Sequence, residues 1–155
     1  MIQAPSKFYI TTAIDYPNSV PHMGHAYEKV VADFYARAHR LRGCKTRFLI
    51  GLDEHGQKIQ EAATRDGKTP QVFVDGKVGA FRDLYGLLGI SHDDFIRTSE
   101  PRHHLFATDL YSKAREHGDI YKGFYEGDYC VGCEKTYTKS ELEGGKCPVH
   151  GTPTT

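Results

Sequence analysis

Three cysteines and one histidine towards the end of the sequence have the types and the spacing of a metal site. Cys130 and Cys133 form a CxxC pair, and after thirteen intervening residues Cys147 and His150 form a CxxH pair. Each pair fits a tight turn, so three thiolates and one imidazole can converge on a single ion. This ligand set suits tetrahedral zinc, and because four protein ligands close the coordination shell, the predicted site is structural rather than catalytic.

Other interpretations of the cysteines are weaker. Free thiols and a surface histidine would not account for two paired half-sites. A redox CxxC should open a helix in a thioredoxin-like setting, whereas Cys130 follows an aromatic segment and a second pair comes after it. Two disulfides would require Cys44, and nothing else in the sequence indicates an oxidising compartment. We assign Cys44 no role beyond packing as a small apolar side chain.

A second group of residues, His22, Gly24 and His25, lies where a loop containing Pro, Asn and Ser runs into an amphipathic helix. The N-terminus of a helix attracts anions, and Gly24 lets a planar ring or a phosphate approach the backbone. The two imidazoles share one helical face and can donate to phosphate oxygens. This favours attack on an α-phosphate with the charge stabilised by preorganised donors. With nine histidines in the chain, capping or packing remains the alternative.

A carboxylate, Asp53, follows the second predicted strand. Loops at the carboxyl ends of parallel strands line the ligand crevice of such sheets, so Asp53 could bind a cation such as the α-ammonium group of a substrate. The alternative is that Asp53 or Glu54 caps the helix that begins near Gln57, and the spacing leaves the two interpretations of Asp53 equal. Glu54 is predicted to be a capping or surface residue.

The elements that must position these residues follow from apolar periodicity and from helix-breaking residues. Residues 8–12 predict a short strand, the apolar spacing from Gly24 to Leu41 predicts a helix ended by Gly43, and residues 47–52 predict a second strand. This order forms a βαβ unit, the start of a parallel sheet with a right-handed crossover. The same signals predict further helices over 57–65, from Thr69-Pro70 to Gly89 and from Pro101 to His117, and a third strand over 94–98.

The composition changes after Gly118. Residues 121–129 are aromatic, alternating and interrupted by glycine, which predicts short antiparallel strands, and residues 130–150 hold the cysteines with little apolar material. Such a segment cannot build its own core and needs an additional constraint. We therefore divide the chain into an α/β domain over residues 1–117 and a small metal-containing domain over residues 118–155.

Length and composition limit the class of protein. The chain has 155 residues, 39% of them hydrophobic, and its 20 basic and 20 acidic side chains cancel. It is long enough to bury a core, and balanced charge argues against disorder and gives no net attraction to a polyanion. No apolar run reaches the roughly 20 residues of a membrane span, and the first residues lack the apolar core of a signal peptide. These features predict a soluble, cytoplasmic protein.

Longer segments extend these short motifs. In chain order they are FYITTAIDYPNSVPHMGHAYEKVVADF, FLIGLDEHGQKI, DDFIRT, and GDIYKGFYEGDYCVGCEKTYTKSEL followed by CPVHG. Together they resemble the class I aminoacyl-tRNA synthetases, most closely the methionine-specific members, over nearly the whole chain and in the expected order. Residues 22–25, HMGH, look like the HIGH signature of that family, with Met at its variable second position.

The resemblance implies a fold and a reaction. The fold would be the first half of a Rossmann-like parallel βαβ nucleotide-binding fold, followed by a small zinc-knuckle insertion with short antiparallel strands. The reaction would be activation of L-methionine by ATP, with magnesium, to methionyl-adenylate, followed by transfer to the 3′ end of methionine tRNA. No membrane partner is implied, and the oligomeric state of the full enzyme stays open.

The resemblance also implies roles for particular residues. His22 and His25 would be catalytic and, with Gly24, would bind ATP. Asp53 would hold the ammonium group of methionine. The other residues at family positions are Ala13, Ile14 and Tyr16 in the amino-acid pocket, and Cys130, Cys133, Cys147 and His150 as zinc ligands of the connective-peptide insertion.

One part of the family pattern is missing. The sequence contains no KMSKS-type loop, whose lysines stabilise the transition state in the family, so we expect the 155-residue chain to be an N-terminal part of a longer enzyme and to have little activity alone. Two alternatives remain. One is another HxGH nucleotidyltransferase, such as a small cytidylyltransferase. The other is a zinc-knuckle RNA-binding module, suggested by the basic residues Arg37, Arg40, Arg42, Lys45 and Arg47.

Overall fold

A three-stranded parallel sheet organises the N-terminal part of the chain. The structure, a computed structural model that describes residues 6–155, has the sheet order β1-β2-β3 with parallel pairing at both interfaces. The predicted α/β class and all three strands are therefore confirmed. The strands are β1 (Lys7–Thr11), β2 (Lys45–Leu52) and β3 (Asp94–Arg97).

Helices connect these strands, and their ends match the local signals in the sequence. Gly43 follows the first helix with a φ of 78°, the backbone conformation that favours glycine. Thr69 caps the third helix through its hydroxyl, which accepts from the N–H of Val72, and Pro70 takes the first position. The helices of the described residues are α1 (Met23–Leu41), α2 (Gln57–Arg65), α3 (Pro70–Leu87) and α4 (Pro101–His117).

The face of α1 that packs inward differs from the face that carries its large apolar side chains. The buried residues of α1 are Ala26, Lys29, Ala32, Asp33 and Ala36. The large apolar residues that define its sequence periodicity are exposed, with Phe34 at 67% and Leu41 at 90% of their full accessibility. Small side chains allow the helix to approach the sheet closely, so the helix is confirmed while its apolar stripe does not form the core.

Two clusters of described apolar residues stabilise the N-terminal part of the chain. The larger one joins the central strand β2, through Phe48, Ile50 and Leu52, to Phe81 and Tyr85 of α3. The smaller one joins α2 to the first turns of α3 around Ile59, Phe73 and Val74. Because β2 is buried at its carboxyl end, the loop that follows it is fixed in place, and this loop begins with Asp53.

The C-terminal part of the chain contains a small antiparallel sheet. Strands β4 (Asp128–Cys130) and β5 (Lys135–Tyr137) pair antiparallel, and a 3-10 turn spans Lys139–Glu141. The prediction of strands over residues 121–129 is correct only for its end, where β4 begins at Asp128. Residues 121–127 have no regular structure. Their aromatic side chains are exposed and have no partner strand, so alternation alone does not produce a sheet there.

The chain separates into two compact units, Met1–Ala107 and Thr108–Thr155. The division falls within α4, and the functional boundary predicted between residues 117 and 118 stays a prediction. Among the described residues, no helix combines the length and the apolar character needed to cross a membrane.

Candidate active site and metal centre

The loop after β1 continues along the sheet and brings the predicted amino-acid-binding residues to the end of β2. The N–H of Asp15 donates to the carbonyl of Gly51 at 3.0 Å, and the N–H of Asp53 donates to the carbonyl of Asp15 at 2.9 Å. A Cβ on Gly51 would lie only 2.3 Å from the carbonyl oxygen of Ile96 and 3.2 Å from the side chain of Ile14. Glycine at this position therefore allows the strand ends and the loop to lie close together.

His22 and His25 form a capping box at the start of α1. His22 is the N-cap, and its Nδ1 accepts from the N–H of Gly24 at 3.1 Å. His25 Nδ1 accepts from the N–H of His22, also at 3.1 Å. The capping alternative weighed for this pair is thus realised, with imidazoles taking the place of the usual Ser and Glu side chains. Capping does not exclude a chemical role, because each ring keeps its second nitrogen.

The hydrogen bonds decide which nitrogen carries the proton. Since both Nδ1 atoms accept, the neutral rings are protonated on Nε2, which is then the atom able to donate. The rings stack with their centroids 3.9 Å apart, and His25 also meets Phe81 edge to face at 5.4 Å. Burial lowers the pKa of His25; Asp15 raises it, whereas His22 and Lys29 lower it further. His25 is therefore a neutral donor at neutral pH.

Gly24 is required by the cap itself. A Cβ at this position would lie 2.9 Å from Cε1 and 3.1 Å from Nδ1 of His22. Any side chain would push the His22 ring away from the N–H that it caps. The glycine between the two histidines thus preserves the orientation of His22, in addition to leaving the backbone open to a ligand.

The residues predicted for the amino-acid pocket lie along the β1–α1 loop and at the end of β2. Ala13 and Ile14 are exposed, and Tyr16 is half-buried and packs against the α2–α3 cluster. Asp53 is half-buried, and its Oδ1 accepts from the N–H of His55 at 3.4 Å. The N-cap of α2 is Gly56, with no side-chain cap. The capping alternative for Asp53 is therefore wrong, and its role in binding stays a prediction.

Glu54 is neither a capping nor a surface residue. It is 3% exposed, and its Oε1 accepts from Nε of Arg97 at 2.6 Å. The hydroxyl of Ser99 donates to the other carboxylate oxygen of Glu54. The backbone N–H of Glu54 donates to the hydroxyl of Thr98 at 2.8 Å. Glu54 thereby joins the ends of β2 and β3, a long-range contact that the local sequence does not indicate.

A buried charge cluster beneath the β1–α1 loop was not predicted. Lys29 is fully buried, and its Nζ donates to Oδ1 of Asp15 at 2.7 Å and to the carbonyl of Ala13 at 3.0 Å. Tyr85 donates to the other carboxylate oxygen of Asp15. Glu28 accepts from the N–H of Ala13 at 2.7 Å. Adjacent residues of α1 therefore hold both polar backbone groups of Ala13.

The four predicted metal ligands come together in the second unit. The ligand atoms of Cys130, Cys133, Cys147 and His150 all lie within 4.8 Å of one another. Cys133 Sγ is 3.6 Å from Cys147 Sγ and 3.2 Å from His150 Nδ1. His150 Nδ1 is 3.8 Å from the sulfurs of both other cysteines.

These distances fit a four-coordinate ion. A tetrahedron with bonds of about 2.3 Å has edges of about 3.8 Å, and the four separations given above range from 3.2 to 3.8 Å. The N–H of His150 donates to Cys147 Sγ at 3.4 Å. Burial raises the pKa of Cys147, but hydrogen bonds from His150 and Val149 outweigh it and bring the pKa to about 6. Gly132 leaves room for the imidazole, since a Cβ there would lie 2.9 Å from the His150 ring.

Comparisons with known proteins agree over nearly the whole described chain. A family model described as tRNA synthetases class I (M) matches residues 8–155. The methionine–tRNA ligase of Caldanaerobacter subterraneus subsp. tengcongensis is 49% identical over 146 residues, which cover 94% of this chain and 23% of that protein. The Campylobacter jejuni enzyme of the same name is 47% identical over 147 residues, with 94% and 23% covered. The chain thus spans about a quarter of the length of these relatives.

A solved structure gives the same result. The Mycobacterium tuberculosis methionyl-tRNA synthetase bound by methionyl-adenylate superposes with a TM-score of 0.89 and 40% sequence identity, covering 97% of this chain and 30% of that one. The parallel βαβ fold of the first unit therefore has the Rossmann-like character predicted from the sequence. On the family match over residues 8–155, the chain belongs to the class I tRNA synthetases.

Proposed function

We propose that this chain is the N-terminal catalytic portion of a methionine–tRNA ligase. The enzyme would join L-methionine to ATP, forming methionyl-adenylate and pyrophosphate, and would then transfer the methionyl group to the 3′ end of methionine tRNA in the cytoplasm. The observation that carries the proposal is the likeness to a methionyl-tRNA synthetase whose structure holds methionyl-adenylate. The activity of the whole protein is inferred, since the chain spans only part of its relatives.

The first step is attack of the methionine carboxylate oxygen on the α-phosphorus of ATP. The new O–P bond forms as the bond to the bridging oxygen breaks, and pyrophosphate leaves with that electron pair. Magnesium enters with ATP as part of the substrate. His22 and His25 would donate from Nε2 to the phosphate oxygens on which negative charge develops. The N–H groups and the dipole of α1 would add to the same stabilisation.

The amino acid would bind against the loop between β1 and α1. In this proposal the carboxylate of Asp53 pairs with the ammonium group of methionine, while Ala13, Ile14 and Tyr16 form part of the pocket. The backbone of Ala13 is held at both its N–H and its carbonyl by α1. A loop held in this way loses little freedom when the substrate binds, which supports its use in positioning.

The second unit would be the zinc-binding start of the connective-peptide insertion. Cys130, Cys133, Cys147 and His150 would hold Zn²⁺, which supplies folding free energy to this part of the chain rather than chemistry to the reaction. The RNA-binding alternative is less favoured because three of its five basic residues are already paired with acids. Asp33, Asp93 and Asp94 bind Arg37, Arg40 and Arg47 at 2.5, 2.8 and 3.3 Å, respectively.

Exchange of labelled pyrophosphate into ATP tests the proposed function. The full-length protein that carries this chain should catalyse the exchange only when L-methionine is present. The 155-residue chain alone should show little or no exchange, because it has no KMSKS-type lysines to share the developing charge. Exchange without methionine would instead support another HxGH nucleotidyltransferase. Near-normal exchange by the isolated chain would contradict the proposal that the active site needs residues outside these 155.

Replacing His22 in the full-length protein should slow adenylation more than it weakens methionine binding. His22→Ala removes one Nε2 donor, and the loss of a single preorganised donor costs about 10²–10³ in kcat. The methionine KM should change about twofold or less, because His22 acts on the phosphate. His117→Ala, at an exposed position, is the matched control. An effect confined to the methionine KM would show that His22 belongs to the amino-acid pocket.

A further inference from the structure

We propose that the hydroxyl of Tyr137 is a functional part of the metal centre, where it donates a hydrogen bond to the thiolate of Cys133 and strengthens metal binding. The inference rests on the proposed metal site and goes beyond its four ligands. Tyr137 is a positioning residue in this proposal: it acts on the ion through Cys133 and does not coordinate it.

The geometry places the hydroxyl between two of the sulfurs. Tyr137 OH donates to Cys133 Sγ at 3.2 Å, and Cys147 Sγ lies 3.9 Å from the same oxygen. Both distances are within the range of hydrogen bonds that involve sulfur. Because the distance to Cys133 is shorter, the single hydroxyl proton of Tyr137 is donated towards Cys133. Tyr137 is 5% exposed, so water does not compete freely for the hydroxyl.

The fold fixes the direction of this side chain. Tyr137 is the last residue of β5 and pairs with Asp128 of β4, two residues before Cys130. Its ring packs in the small core with Cys130 and Cys147, and Lys135 lies over it at 4.4 Å from the centroid. The ring is therefore held by packing independently of the hydroxyl, which means that the hydroxyl can be removed without removing the ring.

Charge gives the hydrogen bond its effect. Three thiolates around a divalent cation leave a net charge of minus one in a site where two of the sulfur-bearing residues, Cys130 and Cys147, are buried. Donors to the sulfurs spread this negative charge and so stabilise the metal-bound thiolates. The N–H of His150 serves Cys147 in this way, and Tyr137 does the same for Cys133.

Tyr137→Phe in the complete 155-residue chain tests the proposal, with Tyr121→Phe as the control because Tyr121 is exposed. Competition with a chromophoric chelator should show that the dissociation constant for Zn²⁺ rises about tenfold in Tyr137→Phe, the size of effect seen for outer hydrogen-bond partners. With Co²⁺, the sulfur-to-metal charge-transfer band should move to longer wavelength, since a thiolate that has lost a donor gives up an electron more easily. Neither value should change in Tyr121→Phe.

A purely structural role for Tyr137 would not shift the Co²⁺ band. Unchanged zinc affinity and an unchanged band in a folded Tyr137→Phe chain would overturn the proposal. If that variant does not fold, the proposal is tested on the unaltered zinc-loaded chain by NMR. The hydroxyl proton of Tyr137 should exchange slowly with water, and fast exchange would overturn the proposal. If the unaltered chain binds neither Zn²⁺ nor Co²⁺, both the proposed metal site and the proposed role of Tyr137 are wrong. Methionine-dependent exchange is a separate measurement, so failure of the proposed enzyme would be distinguishable.

Discussion

Removing the ion proposed for the site of Cys130, Cys133, Cys147 and His150 is expected to unfold the β4–β5 region while the parallel sheet of the first unit stays folded. Within the described residues 108–155, only Cys130, Tyr137 and Cys147 are buried. Strands of three residues each, with so small a core, cannot offset the entropy of ordering the chain. Zinc binding contributes about 10–16 kcal/mol in zinc-finger peptides, so without the ion the balance reverses.

Amide hydrogen exchange measures this directly. Treatment with a strong chelator under reducing conditions should remove protection from the amides of β4 and β5, and added Zn²⁺ should restore it. The amides of β2 should keep their protection throughout. Cys147→Ser should imitate the chelator, whereas Cys44→Ser should not, because Cys44 lies outside the cluster with its sulfur 3.0 Å from the hydroxyl of Ser6. Unchanged protection of β4 and β5 without metal would contradict the expectation.

The elements of this chain that the sequence predicted well are those specified by local chemistry. The third helix illustrates this, since the Thr69 cap and Pro70 are contiguous in the sequence and produce the same start in the structure. The cluster of three cysteines and one histidine is similar, because each CxxC or CxxH pair is a local turn and only two turns must meet. The strand prediction for the exposed residues 121–127 is wrong for the opposite reason. A strand needs a partner strand, and alternation of aromatic residues does not supply one.

The inward face of α1 could not be predicted from hydrophobicity. Large apolar residues such as Phe34 and Leu41 are exposed, whereas three of its alanines are buried. A signal was present in the spacing of the small residues Ala26, Ala32 and Ala36, which form one helical stripe with Lys29. Only the position of Asp15 explains why a lysine belongs to that stripe, and this contact joins residues fourteen positions apart.

Only the local part of the candidate active site could be predicted from the sequence. His22, Gly24 and His25 form a contiguous motif, and the structure adds that the two Nδ1 atoms are used in capping. The groups that hold the neighbouring loop were missed because they come from distant parts of the chain. Tyr85, for example, has the spacing of an ordinary core residue in α3, yet its hydroxyl meets Asp15 seventy residues away.

Replacing Lys29 by methionine is expected to lower the free energy of unfolding of the first unit by about 3–5 kcal/mol, the cost of removing one partner of a buried ion pair. Methionine matches the length of the lysine stem, so the change creates little empty space. It leaves the carboxylate of Asp15 with Tyr85 as its remaining side-chain partner among the described contacts. It also removes the donor to the carbonyl of Ala13. Typical domains are stable by about 5–15 kcal/mol, so this loss is a large fraction of the total.

Urea unfolding followed through the NMR amide signals of β2 provides the measurement, because the second unit does not contribute to those signals. Lys68→Met is the matched control: Lys68 pairs with Asp66 at 3.3 Å, but both side chains are about half exposed, and the expected change is within about 0.5 kcal/mol. A double-mutant cycle with Asp15→Asn should give a coupling energy of about 1–3 kcal/mol between the two residues. Equal effects of Lys29→Met and Lys68→Met would mean that burial adds nothing to this ion pair. A coupling energy near zero would mean that Lys29 acts through its other partners, the carbonyl of Ala13 and the carboxylate of Glu28, and not through Asp15.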